Sequence, residues 1–254
     1  MLAVPVFALA TQVKSTVVVK RLAKSAATAV CPGSEHVAFG GLTGQFSPVN
    51  DELVFPTGMR ESAAGKWTVY GQSVSATRGS QLTAVAYCSN APAPTAVQET
   101  VSVAKGHLGR AVAKCPAGTV VVGGGFNTKA FPQVGAVAGL ERIAADAWRV
   151  SILNIGDGPT TVTAIAYCGA GPAPTAKSAA VLLRSGAIGT AKATCPGGTA
   201  LLFGGEIASA SGLADRLPHV LAFSFAPVSN TQWNASGGNG GGSPGWITAL
   251  AYCR

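Results

Sequence analysis

Apolar and polar residues alternate along short stretches of this chain. In Ala111-Val112-Ala113-Lys114-Cys115 the small residues share one face with the cysteine, and Ala27, Ala29, Cys31 and Ala191, Ala193, Cys195 repeat the arrangement. A period of two is that of a β-strand. Further on, Ala164, Ala166 and Cys168 fall on one face of a segment whose other face carries Thr163, Ile165 and Tyr167. Two small-residue faces, each ending in a cysteine, can approach closely. The helix formers Glu, Lys and Gln are scarce, while Gly (33) and Pro (15) stand among many Ala, Val and Thr. Short strands and many turns follow, and the chain reads as all-β.

The pattern occurs three times in register. Thr16 to Cys31, Thr100 to Cys115 and Ala180 to Cys195 align without gaps, and each cysteine opens a Cys-Pro-x-(Gly/Ser) turn. A glycine pair follows each (Gly40-Gly41, Gly124-Gly125, Gly204-Gly205), then a tryptophan (Trp67, Trp148, Trp233) and a closing Thr-Ala-aliphatic-Ala-Tyr-Cys ending at Cys88, Cys168 and Cys253. Pro-Ala-Pro-Thr-Ala recurs at 92–96 and 172–176. These marks divide the chain into an N-terminal extension, 1–15, and three repeats, 16–96, 97–176 and 177–254. Proline and glycine suit Cys-Pro-Ala-Gly to a turn between the strand ending at Cys115 and one over 119–122. Asp157-Gly158 reads as the turn of a last hairpin, between the Trp148 and Thr161 strands. Four or five strands per repeat are expected, with the glycine pairs marking a bulge or a close backbone approach.

The six cysteines leave two symmetric pairings. Either each repeat closes on itself (Cys31 with Cys88, Cys115 with Cys168, Cys195 with Cys253), which self-contained repeats favour, or neighbours are joined (Cys88 with Cys115, Cys168 with Cys195, Cys253 with Cys31). Zinc sites need ligands two to four residues apart, and no such pair of cysteines or histidines occurs. Regularly placed cysteines with none left over point to an oxidising compartment and a secreted protein. Residues 1–10, MLAVPVFALA, resemble the end of a signal peptide with Ala8-Leu9-Ala10 as cleavage site; no stretch is long enough for a membrane-spanning helix.

The net charge of +8 arises from scattered residues, clustered only at Lys20, Arg21 and Lys24. A nucleic-acid binder groups its basic residues along one face with aromatics between, so no nucleic-acid partner is expected. Candidate chemistry is thin. Gly241-Gly242-Ser243-Pro244-Gly245 fits the nucleophile pattern G-x-S-x-G but stands in a glycine loop, with no strand-to-helix elbow. His36, His107 and His219 occupy non-equivalent places in the three repeats, and Asp51-Glu52, Asp146, Asp157 and Asp215 form no evident pair. The glycine pairs lack the Gly-Lys-Ser/Thr ending of a phosphate cradle. Asn234-Ala235-Ser236 is a glycosylation sequon. Neither a catalytic residue, a cofactor nor a metal is expected.

The tryptophans have two readings. Exposed, Trp67, Trp148 and Trp233 would form equivalent sugar-stacking platforms; buried, they would anchor the core, the role large aromatics usually take. Trp246 has no counterpart in the other repeats and, following a glycine loop, is the better candidate for an exposed contact.

Cys-Pro-x-Gly, an apolar run, a glycine pair, a later tryptophan and a closing Ala-Tyr-Cys resemble repeats of secreted bacterial proteins of actinobacterial type whose function is unknown. More distantly, three β-units each carrying Cys-Pro-x-Gly are similar to the threefold β-prism of vitelline membrane outer layer proteins. That resemblance implies architecture rather than activity: the acidic Asp-Asp-Thr run of that family is absent here, and no functional residue carries over.

The expected fold is three pseudo-symmetric antiparallel sheets packed as a β-prism about one core, with Pro-Ala-Pro-Thr-Ala as the crossings between sheets; the alternative is three separate small β-domains. The expected function is that of a non-catalytic extracellular structural or surface protein, supported by low charge, positive mean hydropathy and disulfides. Its partners would be further copies of itself or an extracellular polysaccharide. The alternatives are a carbohydrate-binding protein, or an enzyme whose site lies in the segments that vary most between repeats, 44–66, 127–147 and 206–232.

Overall fold

A computed structural model describes residues 11–47, 52–75, 77–130, 132–210 and 219–254. The signal-like segment 1–10, Asp51 and Asp215 lie outside the described residues. The end of the N-terminal extension and the first repeat supply β1 (Thr11–Val19), and the first repeat supplies β2 (Lys24–Val30), β3 (His36–Gly44), the short β4 (Phe46–Ser47), β5 (Glu52–Ala63), β6 (Lys66–Ser73) and β7 (Ser80–Ser89). The second supplies β8 (Thr95–Val103), β9 (Leu108–Lys114), β10 (Val120–Thr128), β11 (Gly135–Ala144), β12 (Ala147–Asn154) and β13 (Thr160–Gly169). The third supplies β14 (Thr175–Leu183), β15 (Ile188–Thr194), β16 (Leu201–Ala210), β17 (Val220–Pro227), β18 (Gln232–Asn239) and β19 (Gly245–Cys253).

These strands form three antiparallel sheets of six. Sheet I runs β1-β7-β3-β17-β18-β15, sheet II β2-β6-β5-β10-β13-β8 with β4 beside β5, and sheet III β14-β19-β16-β11-β12-β9. Every sheet is therefore half one repeat and half another, and every repeat is divided between two sheets. The halves meet at seams of two residue pairs each: Leu42–Phe225 and Thr43–Ser224 in sheet I, Phe126–Met59 and Asn127–Gly58 in sheet II, Glu206–Leu140 and Ile207–Gly139 in sheet III. The three sheets enclose one continuous apolar core with residues from all three repeats, which excludes three separate domains.

This division corrects two local expectations, the strand count and the Asp157-Gly158 hairpin. Among the described residues each repeat has six core strands rather than four or five, because the variable segments contain the seam strands β5, β11 and β17. The Cys-Pro-Ala-Gly turn links β9 to β10 as expected, and in doing so carries the chain from sheet III to sheet II. Asp157-Gly158 does not close a hairpin: β12 belongs to sheet III and β13 to sheet II, and the Asp157 N–H donates to Pro132 O at 2.8 Å. The proline-rich segments do cross between sheets, from β7 to β8 and from β13 to β14.

Disulfides join Cys31 to Cys88, Cys115 to Cys168 and Cys195 to Cys253, with separations of 57, 53 and 58 residues. Each is internal to a repeat, yet each joins two sheets, since β2, β9 and β15 lie in different sheets from their partners β7, β13 and β19. The three corners of the prism are thus stapled at one end. We call this the cysteine end; the turns that link β1 to β2, β8 to β9 and β14 to β15 mark the opposite end.

Candidate functional site

The repeated tryptophans are closed off from solvent: Trp67 is 1% exposed, Trp148 and Trp233 0%. Each indole sits on the first glycine of its own repeat's pair, so that a Cβ on Gly40, Gly124 or Gly204 would collide with the ring. Trp67 Nε1 donates to Gly41 O and Trp148 Nε1 to Gly125 O, both at 3.2 Å. A sugar platform on these residues is ruled out by burial; their role is to key one sheet of a repeat against the other. One residue before each glycine pair a β-bulge shifts the register (Val37/Phe39, Val121/Gly123, Leu201/Phe203).

The tyrosine of each closing motif points away from the alanines and cysteine of its strand, yet it too is buried. Tyr167 and Tyr252 reach the seams, where their hydroxyls accept the backbone N–H of Glu61 (2.6 Å) and of Arg142 (2.8 Å). The equivalent of Glu61 and Arg142 in the third seam is Pro227, which has no N–H to give; Tyr87 instead accepts from Gln12 Nε2 at 3.0 Å. Burial raises the pKa of all three phenols, that of Tyr252 to about 12. They act as neutral wedges. A narrow depression beside them draws on all three repeats, lined by Phe39, Gly40, Glu61, Gly123, Tyr167 and Phe203 among others. Its walls are aromatic rings and glycine backbone, with the Glu61 side chain engaged by the Gly65 N–H at 3.1 Å.

The third repeat departs from this symmetry. Where Leu42 and Phe126 follow the glycine pair, the third repeat has Glu206, fully buried, with neither carboxyl oxygen hydrogen-bonded among the described residues. Burial, and then the like charge of Glu141, push its pKa up to about 8. Glu141 is ion-paired to Arg149 at 2.6 Å. Trp233 Nε1, unlike its two counterparts, also lacks a partner among the described residues.

Trp246 is 40% exposed on sheet III, directly opposite Leu182, itself 47% exposed, across the β14–β19 ladder. It is the one sequence-selected aromatic that faces solvent. Ser243 lies in a loop held by Asn239, whose Nδ2 donates to Ser243 O at 2.8 Å and to Leu183 O at 2.9 Å. Asn154 holds the corresponding loop of the second repeat through Val103 O and Gly158 O. Asn234, the sequon residue, lies within the inner strand β18, its Oδ1 buried. Among the described residues no three His, Cys, Asp or Glu side chains gather as metal ligands would.

Neither a comparison with protein-family models nor one with curated protein sequences finds a match to this chain. The threefold arrangement and the disulfides are those of a repeat protein. Sequence reasoning missed Glu206, the tyrosine wedges and the asparagine clamps. Glu206 was detectable, since the aligned repeats carry Leu and Phe at its position; the wedges were not, because they depend on which repeats share a sheet.

Proposed function

We propose that this protein is a non-catalytic, secreted structural or cell-surface-associated protein. The observation that carries this reading is the covalent closure of all three prism corners, by bonds that persist in oxidising compartments. The motif residues shared by the repeats support it, because they serve seams, corners and core rather than converging on a polar cleft. Exposed Val18, Val30 and Leu182 lie on the outermost strands of sheets I, II and III, and favour association with further copies or with an envelope. No helix among the described residues is long and apolar enough to cross a membrane. Light scattering of the oxidised protein tests the reading: concentration-dependent assembly is expected, and a monomer at all concentrations that turns over a substrate overturns it.

Exposed Trp246 beside Leu182 supports a second reading, a single polysaccharide contact on the outer face of sheet III. Pull-down on insoluble polysaccharides with the wild type and Trp246→Ala separates the two, since only this reading expects retention that the substitution abolishes.

A further inference from the structure

The three seams stand at equivalent positions around the prism axis. Five of the six residues at their inner pairs are apolar: Leu42, Phe225, Phe126, Met59 and Leu140, each at most 1% exposed. The sixth is Glu206, paired with Leu140 where the second and third repeats meet. The same repeat leaves the Trp233 indole N–H without an acceptor, so this part of the core holds two buried polar groups without partners among the described residues. We propose that the seam between β11 and β16 is a pH-sensitive joint, closed while Glu206 is a neutral acid and loosened when it ionises, the other two seams being insensitive.

The surroundings give a carboxylate little support. β11 brings Glu141, a like charge, and Arg142, whose guanidinium lies over the Tyr252 ring of β19 and donates through Nη2 to Pro174 O at 2.5 Å, its Nη1 buried without a partner among the described residues, Glu206 included. Of the other strands packed against β16, β10, β17 and β18 carry no titratable residue, and β3 carries only His36, at its cysteine-end start. Opening would expose Glu206 to water and restore its ordinary value of 4.5, against about 8 when closed. The closed state therefore binds the extra proton between these values. Its opening equilibrium rises up to tenfold per pH unit across that window and levels off above it.

The test is hydrogen exchange of the oxidised protein, corrected for intrinsic rates, between about pH 5 and pH 9, on the wild type, Glu206→Gln and Glu206→Leu. In the wild type, protection of β11 and β16 is expected to fall steeply with pH while that of β3, β17, β5 and β10 does not, and both variants should abolish the difference. Glu206→Leu restores the residue present at Leu42, so it keeps the test decisive if the Gln variant folds poorly. Parallel pH profiles in wild type and Leu variant, or equal loosening of all three seams, would overturn the proposal.

Discussion

Trp148 rests on Gly124, and its indole N–H donates to the carbonyl of the next glycine at 3.2 Å. The contact spans two sheets, as β12 belongs to sheet III and β10 to sheet II. Gly124→Ala would drive a methyl into a buried ring with no room to retreat, so a loss of about 3 kcal/mol is expected, at the upper end for overpacking. Gly158→Ala is the control, since a Cβ there meets nothing within 4 Å. Denaturant titration of both variants should show a large shift for the first and little for the second.

The tyrosine wedges should be unequal. Tyr252→Phe removes the acceptor of the Arg142 backbone N–H at the β11–β16 seam, and a stranded buried donor costs roughly 1–3 kcal/mol. Tyr87→Phe releases only the Gln12 side chain, on an exposed edge residue that can turn to water, and should cost less than about 1 kcal/mol. Thermal unfolding of the two variants measures the difference; equal losses would mean that the missing N–H of Pro227 is compensated elsewhere.

Each disulfide closes a loop of similar length, 53 to 58 residues, and loop entropy depends only logarithmically on length. Replacing both cysteines of any one pair by alanine should therefore cost about 4 kcal/mol, nearly the same for all three. Unequal losses in denaturant titrations would show that one corner is held by more than its bridge.

Leu22, in the turn between β1 and β2, has a φ of 52°, a left-handed backbone that Gly106 and Gly186 adopt at the equivalent turns with φ of 74° and 73°. Its side chain is 58% exposed, so little packing is lost on removal. Leu22→Gly should stabilise the protein by about 0.5–1 kcal/mol, the relief of strain exceeding the added flexibility of the unfolded chain. A lower melting temperature would show instead that the leucine makes a contact worth more than the strain.

The chain's own pattern determined most of the strands and the threefold repeat, and narrowed the disulfides to two symmetric pairings, between which the structure decided. Period-two alternation reflects backbone geometry that acts within a few residues, and three aligned copies remove most of the ambiguity among six cysteines. Even the burial of the tryptophans had a sequence trace, because each travels with a glycine pair, and only glycine leaves room for an indole on its backbone. What the tertiary structure alone decided is which strands share a sheet. A tight turn such as Cys-Pro-Ala-Gly or Asp157-Gly158 can close a hairpin or carry the chain over a corner, and its local torsions are compatible with both. The choice falls to burial: placing half of each repeat in each of two sheets covers all three inner faces at once, as a single repeat could not. The seams arise from that choice, and with them the tyrosine wedges and the carboxyl of Glu206 in an otherwise apolar ring. Each depends on partners some 66 to 183 residues away along the chain, beyond the reach of any local pattern.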